Sequence, residues 1–314
     1  MNALLRRVPA SFWALALLVI LCALFVPRFA SLGNAENVLR VAAILALAAS
    51  GQAIVLIIGG IDFSIGSAVA LASVATVLAM PELGTVGGLA AGAGVAVAIG
   101  AANGALVAGF SLPAFLVTLG MLMAVHGVAA VLSGGLPLDA PPSDLLSWPA
   151  RGVVLGMPVP VAGAALALLV LHVVLRHTVL GRSWFLIGAN PVAARFAGIP
   201  VRRATFLAYL AGGVFVAAAA VVLTSRVASG QPNLHPGLPF EAIAACAVGG
   251  IPLAGGRGSA AQVAIGALII AILNNVGVLL NFPAAWQLLL IGGVIVGAVL
   301  LQHERLPFLR AVRS

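Results

Sequence analysis

The stretch IGGIDFSIGSAVALAS, residues 58–73, places one carboxylate between two long apolar runs. Glycine often ends a helix, and aspartate or serine often begins one because its side-chain oxygen accepts hydrogen bonds from free amide groups. The negative charge also suits the positive end of a helix. The stretch therefore predicts a break between two helices, with Asp62 capping the second helix through the amide of Ser64 or Ile65. The residues that we assign to this break are Gly59, Gly60, Asp62, Ser64 and Gly66.

The two runs that flank this break belong to an unusually apolar chain. Of its 314 residues, 63% are hydrophobic and only 7% are charged, whereas about a quarter of the residues in a soluble domain are charged. So few charges cannot cover a surface that faces water. The composition therefore predicts that most of the surface faces lipid.

Apolar runs of about 20 residues, the length that crosses a bilayer as a helix, recur along the whole chain. They predict an all-α, polytopic integral membrane helix bundle of about ten transmembrane segments, within a range of eight to eleven, as a single domain over residues 1–314. The segment 241–258 is short and interrupted by Gly and Pro, so we predict broken or re-entrant helices there and near 59–67. The predicted spans are 11–27, 38–58, 64–80, 86–108, 113–133, 153–175, 204–224, 241–254, 260–280 and 284–301.

The basic residues predict the orientation of the chain and exclude some chemistry. All 15 are arginine, and eleven of them fall on the side that holds both termini if there are ten crossings. The positive-inside rule makes that side cytoplasmic. The absence of lysine excludes a P-loop nucleotide site and Schiff-base catalysis in this chain, and the scattered arginines do not indicate a nucleic-acid partner. The four arginines on the opposite side are Arg28, Arg40, Arg151 and Arg226.

The longest polar connection, residues 176–203, contains the string GANPVAARFAGIP at 188–200. Asn190 is suited to cap a helix, Pro191 to its first position, and Gly198 and Pro200 to its end. A helix of about seven residues is marginal in water and needs a surface to pack on. The segment is therefore either a docking element for another protein or a helix that rests on its own membrane domain.

Five stretches of the chain, in the same order, resemble the ribose-type family of bacterial ABC importer permeases. The polar connection resembles the family pattern GxNxxAARxxGI, and the other four stretches are GGIDFSIGS at 59–67, NGALVAGFSLPAFLVTLGML at 103–122, GGIPLAGGRGS at 249–259 and ILNNVGVLL at 272–280. Five matches in order are far more specific than one. The resemblance assigns to ATPase coupling the residues Gly188, Asn190, Pro191, Ala193, Ala194, Arg195, Gly198 and Ile199.

The resemblance also implies partners and a place in the cell. The chain would be a non-catalytic membrane subunit that pairs with a second permease copy or a paralogue in the bacterial cytoplasmic membrane. A cytoplasmic ATP-binding cassette ATPase would hold ATP and Mg, so this chain would need no cofactor or metal. A soluble binding protein would deliver a sugar or sugar-like solute to the outer face.

The chain departs from the family pattern at two places. Ile251 and Pro252 stand where the family usually has Thr-Ser, which removes two hydroxyl groups and adds a kink. Glu241 is the only acid ahead of the IAA run, because Pro239 stands at the other acidic position. Both departures concern the solute and the outer gate more than the importer architecture.

Polar residues inside apolar spans are candidates for the solute path, because a buried polar group in lipid needs a partner or water. Each of them could instead form a hydrogen bond between helices. The candidates are Gln52, Asn103, Thr118, Asn274, Asn275 and Gln287.

An acid inside a membrane span also suggests a second function. The alternative to an ABC permease is an ion-coupled secondary transporter that uses Asp62 or Glu241. His126 lies well inside a span, but no second metal ligand stands at helical spacing from it. The chain contains no nucleophile and base arrangement or paired carboxylates that would indicate a membrane enzyme.

Overall fold

The computed structural model describes residues 10–302 and is almost entirely helical. The predictions that both termini are cytoplasmic therefore concern residues outside the described part. The helices are α1 (Ala10–Phe25), α2 (Leu32–Ile57), α3 (Ile65–Gly104, continued by a π-helical turn at Ala105–Gly109), α4 (Ala114–Ser133), α5 (Asp144–Arg151), α6 (Val159–His177), α7 (Val179–Ala189), α8 (Pro191–Phe196), α9 (Val201–Val227), α10 (Leu238–Gly249), α11 (Ala260–Leu279) and α12 (Ala284–Gln302). The strands are β1 (Leu138–Asp139), β2 (Val153–Val154), β3 (Met157–Pro158) and β4 (Ser229–Gly230).

The predicted helical bundle is confirmed, but the count of ten spans is not. Six helices in the described range are long and apolar enough to cross a membrane, namely α2, α3 with its π-helical turn, α4, α6, α9 and α11. The two predicted spans 64–80 and 86–108 are the two arms of α3, which meet at Gly84, and the predicted span 241–254 is the short helix α10. The span predicted to start at 153 begins later, because residues 153–158 form a β2–β3 hairpin and Pro158 precedes the first turn of α6.

Helix α3 folds back on itself at Gly84. This residue has φ +69° and ψ 177°, which is outside the helical region and open to glycine alone. A Cβ atom at Gly92 would lie 2.5 Å from the backbone oxygen of Ala72, and one at Gly88 would lie 2.7 Å from that of Thr76. Residues 65–83 and 85–104 are therefore two antiparallel arms of one hairpin, held at backbone contact by glycine.

Helix α2 forms the centre of the bundle, and every residue from 42 to 57 is buried. A helix that is apolar and buried all round needs neighbours on every face, and α6, α9, α10 and α11 supply them. Glycine allows the closest contact: a Cβ atom at Gly51 would lie 2.7 Å from the backbone oxygen of Gly212 in α9.

The chain between α9 and α11 has the broken character that the sequence predicts. Ala228 adopts a left-handed conformation after α9, and β4 then pairs antiparallel with β1. Helix α10 has only 12 residues and is followed by Gly250, which has φ +101°. Gly249 and Gly266 each lie in backbone contact with the opposite helix, so α10 and α11 pack as an antiparallel pair.

Candidate functional site

The break between α2 and α3 is a compact hydrogen-bonded turn around Asp62. One carboxylate oxygen of Asp62 accepts from the backbone N–H of Ser64 at 2.8 Å and from its hydroxyl at 2.6 Å. Because α3 starts at Ile65, Ser64 and not Asp62 is the residue that directly precedes the helix. The predicted hydrogen bond from the amide of Ser64 to Asp62 is thus present, but it lies in the turn that leads into α3 and not at the cap position itself.

Two of the predicted solute-path residues are fully buried and form hydrogen bonds to residues of this break. The side-chain amide of Asn103 donates to the hydroxyl of Ser64 at 2.8 Å. The hydroxyl of Thr118 donates to the backbone oxygen of Ile61 at 3.0 Å. Asn103 thus connects the break to the second arm of α3, and Thr118 connects it to α4. Both residues form hydrogen bonds between segments, which was the alternative to a role as solute contacts.

The other predicted path residues do not gather at this place. Asn275 exchanges two hydrogen bonds with Asn34 at the start of α2, at 3.0 and 2.8 Å. Asn274 lies against the carboxylate of Glu241, and Gln287 donates to the backbone oxygen of Phe282 at 3.2 Å. Gln52 is fully buried in α2, and neither of its side-chain polar atoms has a hydrogen-bond partner in the described part of the chain.

Tyr209 of α9 is a residue at the break that the sequence did not single out. It is buried, and its hydroxyl would lie 2.7 Å from a Cβ atom placed on Gly60. Glycine at this position therefore makes room for the ring. Its one visible mark in the sequence is that it is the only tyrosine in the chain.

A cavity of about 220 Å³ opens beside the first turn of α3, between α4 and the segment that precedes α10. Three of its side chains are polar, Ser67, His126 and Asn233, and sequence reasoning named none of them as solute contacts. His126 has a visible signal as a histidine inside a span, although that position alone suggests a metal ligand as readily as a solute contact. The full lining is Gly66, Ser67, Ala70, Leu122, His126, Pro232, Asn233, Leu234 and Pro236.

Three aromatic rings lie on or next to the elements that form the cavity. Phe63, which follows Asp62, has its ring centroid 5.5 Å from that of Phe115 in α4 and 5.9 Å from that of Phe240 in α10. The rings of Phe115 and Phe240 are each about half exposed. Glu241, next to Phe240, has a carboxylate oxygen 3.8 Å from Nε2 of His235 and is largely buried.

The segment 188–200 adopts the local structure that its sequence predicts, although α8 has six residues rather than seven. The side-chain oxygen of Asn190 accepts from the backbone N–H groups of Val192 and Ala193, both at 3.0 Å. Pro191 occupies the first helical position. Gly198 has φ +78°, and the amide of Ile199 donates to the backbone oxygen of Ala194 at 3.1 Å to close the helix end.

Helix α8 presents most of its surface outward. Ala194 is its only buried residue and packs into the main hydrophobic core. Phe196 is 91% exposed and Val192 is 59% exposed, while Arg195 beside them is also exposed. A six-residue helix with an exposed aromatic ring has a contact surface that the described chain does not cover.

The end of α7 contacts the break directly through backbone atoms. A Cβ atom on Gly188 would overlap the backbone oxygen of Ile57 and the backbone nitrogen of Gly256. The amide of Gly256 itself donates to the oxygen of Ile57 at 2.9 Å, and a Cβ atom on Gly255 would lie 2.9 Å from the amide nitrogen of Gly59. The segment 188–200, the break and the glycine-rich loop after α10 therefore meet at one point, which we call the backbone junction.

The first departure from the family pattern, at Ile251 and Pro252, lies close to this junction, whereas Pro239 and Glu241 lie in the first turn of α10 at its other end. Ile251 is fully buried, and its amide donates to the backbone oxygen of Cys246 at 2.9 Å. Pro252 stands three residues after the end of α10 and so does not kink a helix, which corrects that expectation. Its backbone oxygen accepts from the amide of Gly255 at 3.1 Å and helps to form the loop.

Comparison with known proteins places this architecture in a family. Residues 34–299 match the model of the family described as branched-chain amino acid transport system / permease component. The chain is 34% identical over 299 residues to the ribose import permease protein RbsC of Escherichia coli K12, covering 94% of this chain and 93% of that protein. It is 36% identical over 297 residues to RbsC of Bacillus subtilis 168, covering 94% and 92%. It is 32% identical over 303 residues to the L-arabinose transport system permease protein AraH of Escherichia coli K12, covering 95% and 90%.

No solved structure matches the fold at a significant level. The family match covers the break, the segment 188–200 and the glycine-rich loop, so every part of the backbone junction lies inside it. The relatives also match over nearly the whole length of the chain. The chain therefore belongs to the permease components of the branched-chain amino acid transport system type, a family that includes permeases named for ribose import and L-arabinose transport.

Proposed function

We propose that this chain is the membrane-spanning subunit of a bacterial ABC importer that forms the path for a sugar or sugar-like solute. The observation that carries the proposal is full-length similarity to permeases named for ribose import and L-arabinose transport. The same relatives give no support to the ion-coupled alternative that Asp62 and Glu241 suggested. The chain is a permease component, so its role is transport and not catalysis.

The proposal assigns each partner to a face of the bundle. A second permease copy or a paralogue completes the path, and an ATP-binding cassette ATPase that holds ATP and Mg docks at the cytoplasmic loop 176–203. A soluble binding protein delivers the solute at the opposite end. Five arginines in this loop support its cytoplasmic position, because arginine is enriched on that side; they are Arg176, Arg182, Arg195, Arg202 and Arg203.

Helix α8 is the proposed contact with the ATPase. Its capped ends fix its direction, and the exposed side chains of Val192 and Phe196 supply the apolar anchor that a groove on a partner can bury. Arg195 beside them adds a charge at the edge of the contact. The matched family residues at this site are Gly188, Asn190, Pro191, Ala193, Ala194, Arg195, Gly198 and Ile199.

The backbone junction gives this contact a route into the membrane domain. Movement of α8 moves the end of α7, where Gly188 rests on Ile57 and Gly256. Ile57 ends α2, and Gly256 belongs to the loop that joins α10 to α11. A rigid-body shift of the ATPase would therefore reach the break around Asp62 and the short helix α10 together.

We place the solute path beside the break and not through it. Asp62 accepts hydrogen bonds from Ser64 within a buried turn, so its carboxylate serves the backbone and not a passing solute or ion. The cavity beside the turn offers a hydroxyl, an imidazole and a side-chain amide, groups that hydrogen-bond to the hydroxyls of a sugar. Phe63 and its two aromatic neighbours supply flat apolar faces near these groups.

The chain reconstituted in liposomes with its ATPase tests the function. A labelled pentose should accumulate inside only when ATP and the solute-loaded binding protein are both supplied, and the binding protein should raise the rate of ATP hydrolysis. Accumulation by the permease alone, driven by a sodium or proton gradient, would overturn the proposal and restore the secondary transporter.

A further inference from the structure

Four arginines are predicted to lie on the side opposite the cytoplasmic one. Three of them line a single pocket. The pocket has a volume of about 360 Å³ and brings together α2, α5, α6 and α9. Arg28, the fourth arginine of this set, is not part of it. The lining residues are Arg40, Ile44, Ala150, Arg151, Pro160, Val222 and Arg226.

The charges in this pocket are only partly balanced. Arg40 binds Glu36 through two nitrogen atoms, at 2.7 and 3.2 Å, and donates to the backbone oxygen of Ala150 at 2.7 Å. Arg151 and Arg226 are exposed and make no ion pair with any residue in the range 10–302. Three guanidinium groups and one carboxylate leave a local excess of two positive charges. Such a cleft attracts an anion, and a guanidinium pairs with phosphate through two parallel hydrogen bonds.

The apolar lining lies deeper in the bundle than the charges. Ile44 stands one turn after Arg40 in α2, and Val222 stands one turn before Arg226 in α9. Both steps lead away from the end of the bundle and toward its middle. The pocket thus has cationic groups at its mouth and a hydrocarbon wall beneath them, which is the order of a phosphate group and an acyl chain in a phospholipid.

The surface around the pocket is suited to the interface between lipid and water. Helix α5, which supplies Arg151, exposes Leu145 and Trp148, and the adjoining β2–β3 hairpin exposes Val153 and Leu155. Tryptophan and neighbouring apolar side chains are enriched at the headgroup level of membranes. An acidic, polar protein surface would match the arginines but would leave the exposed side chains of α5 and the hairpin in contact with water.

We propose that this arginine pocket binds an anionic phospholipid, with the phosphate between Arg151 and Arg226 and an acyl chain against Ile44 and Val222. The site stands at the end of the bundle opposite α8 and on residues that the proposed transport path does not use. It rests only on the chain being a membrane protein, so it can fail while the importer function holds, and the reverse is also true.

Native mass spectrometry of the full-length protein in detergent, stripped of lipid and titrated with dioleoylphosphatidylglycerol, tests the site. The wild type should retain one phosphatidylglycerol more firmly than dioleoylglycerol, which lacks the phosphate. Replacing Arg151→Gln and Arg226→Gln together should lower its retention by about tenfold, because two charge-assisted contacts are lost. Arg28→Gln, on the same side of the bundle but outside the pocket, should leave retention unchanged.

Further arms of the same titration separate other anion sources. Inorganic phosphate at millimolar concentration should not displace the lipid, since it cannot use the hydrocarbon wall, and displacement would show a free-phosphate site and overturn the proposal. Equal retention by wild type and double variant would also overturn it, as would loss of binding-protein association in the double variant with lipid retention unchanged. If the double variant elutes as an aggregate, each single variant should show a smaller loss in the same titration.

Discussion

At the residue scale, the surroundings of Asp62 indicate whether its carboxylate holds the backbone in place or contacts a transported solute or ion. The carboxylate is buried and receives two hydrogen bonds from Ser64, which in turn receives one from Asn103. A chain of this kind fixes the start of α3 relative to its second arm. The role that we propose for Asp62 is therefore to position backbone, although an acid in an apolar chain first suggests ion coupling.

Asp62→Asn should be tolerated, because the asparagine oxygen can accept from the same amide. Uptake in proteoliposomes should stay within about twofold of wild type, and the elution profile should not change. Asp62→Leu should leave the amide of Ser64 without its partner at a cost of about 1–3 kcal/mol, and the apparent Tm should fall. A well-assembled Asn variant without transport would instead assign the carboxylate to the solute or to a coupled ion.

Gly188 should tolerate no side chain, because a Cβ atom there would overlap the backbone of Ile57 and Gly256. Gly188→Ala should destabilise the protein by about 1–3 kcal/mol through forced backbone shifts, measured as a lower apparent Tm in detergent. Gly163→Ala is the matched control, since Gly163 is also helical but has no atom within 4 Å of the added Cβ. An unchanged Tm for Gly188→Ala would contradict the contact.

At the scale of elements, the sequence predicted those features that depend on local chemistry. The cap at Asn190, the proline after it and the glycine that ends α8 depend on neighbouring residues, so they could be read directly. The fold-back at Gly84 lies in the gap between the predicted spans 64–80 and 86–108, so its place was predicted by the apolar runs but its geometry was not. The actual turn needs only one glycine, and the contacts of Gly88 and Gly92 across the hairpin decide its direction.

The cavity beside α3 was also beyond the sequence, because its polar groups come from distant parts of the chain. Ser67, His126 and Asn233 lie on three separate segments and share no spacing that marks them. The solute-path residues predicted from the sequence are polar side chains inside apolar runs. Two of them, Asn103 and Thr118, are buried and form hydrogen bonds to the break. Polar residues inside apolar runs can thus be recognised as buried groups, but the sequence does not show which of them line a cavity.

Helix α8 should bind the ATPase through its exposed apolar face. Replacing Val192→Ala and Phe196→Ala together should weaken association with the ATPase by about tenfold, since truncated apolar anchors dominate such contacts. The apparent Tm of the permease alone should not change, because both side chains are exposed. Co-elution of purified permease and ATPase measures the effect.

Leu155→Ala is the control for this test, because Leu155 is fully exposed on the hairpin at the other end of α6. It should leave ATPase association unchanged. Full association of the α8 double variant would remove α8 from the docking surface and leave it as a helix that rests on its own membrane domain.

At the scale of the whole molecule, the proposed import function separates three sites along the bundle. The exposed face of α8 and the arginine pocket stand at opposite ends, and the cavity beside α3 lies between them. Each site draws on different residues. Variants at one site should therefore change one property of the assembled importer at a time.

Replacing His126→Leu and Asn233→Leu together should lower solute uptake by about tenfold, because two hydrogen-bonding groups of the cavity become apolar. Association with the ATPase and the rate of ATP hydrolysis should be retained, since neither residue is near α8. Met123→Leu, on the exposed face of the same helix as His126, should leave uptake unchanged. Normal uptake by the double variant would exclude this cavity from the path.

The backbone junction has a consequence for how finely the importer can be tuned. Side chains that carry a contact can rotate between rotamers and absorb part of a displacement, whereas the groups that meet at Gly188, Ile57 and Gly256 are main-chain atoms without such freedom. A shift at α8 should then reach the end of α2 almost undiminished in distance and with little delay. Substitutions near this point should therefore either preserve transport or abolish it, and few of them should give an intermediate transport rate.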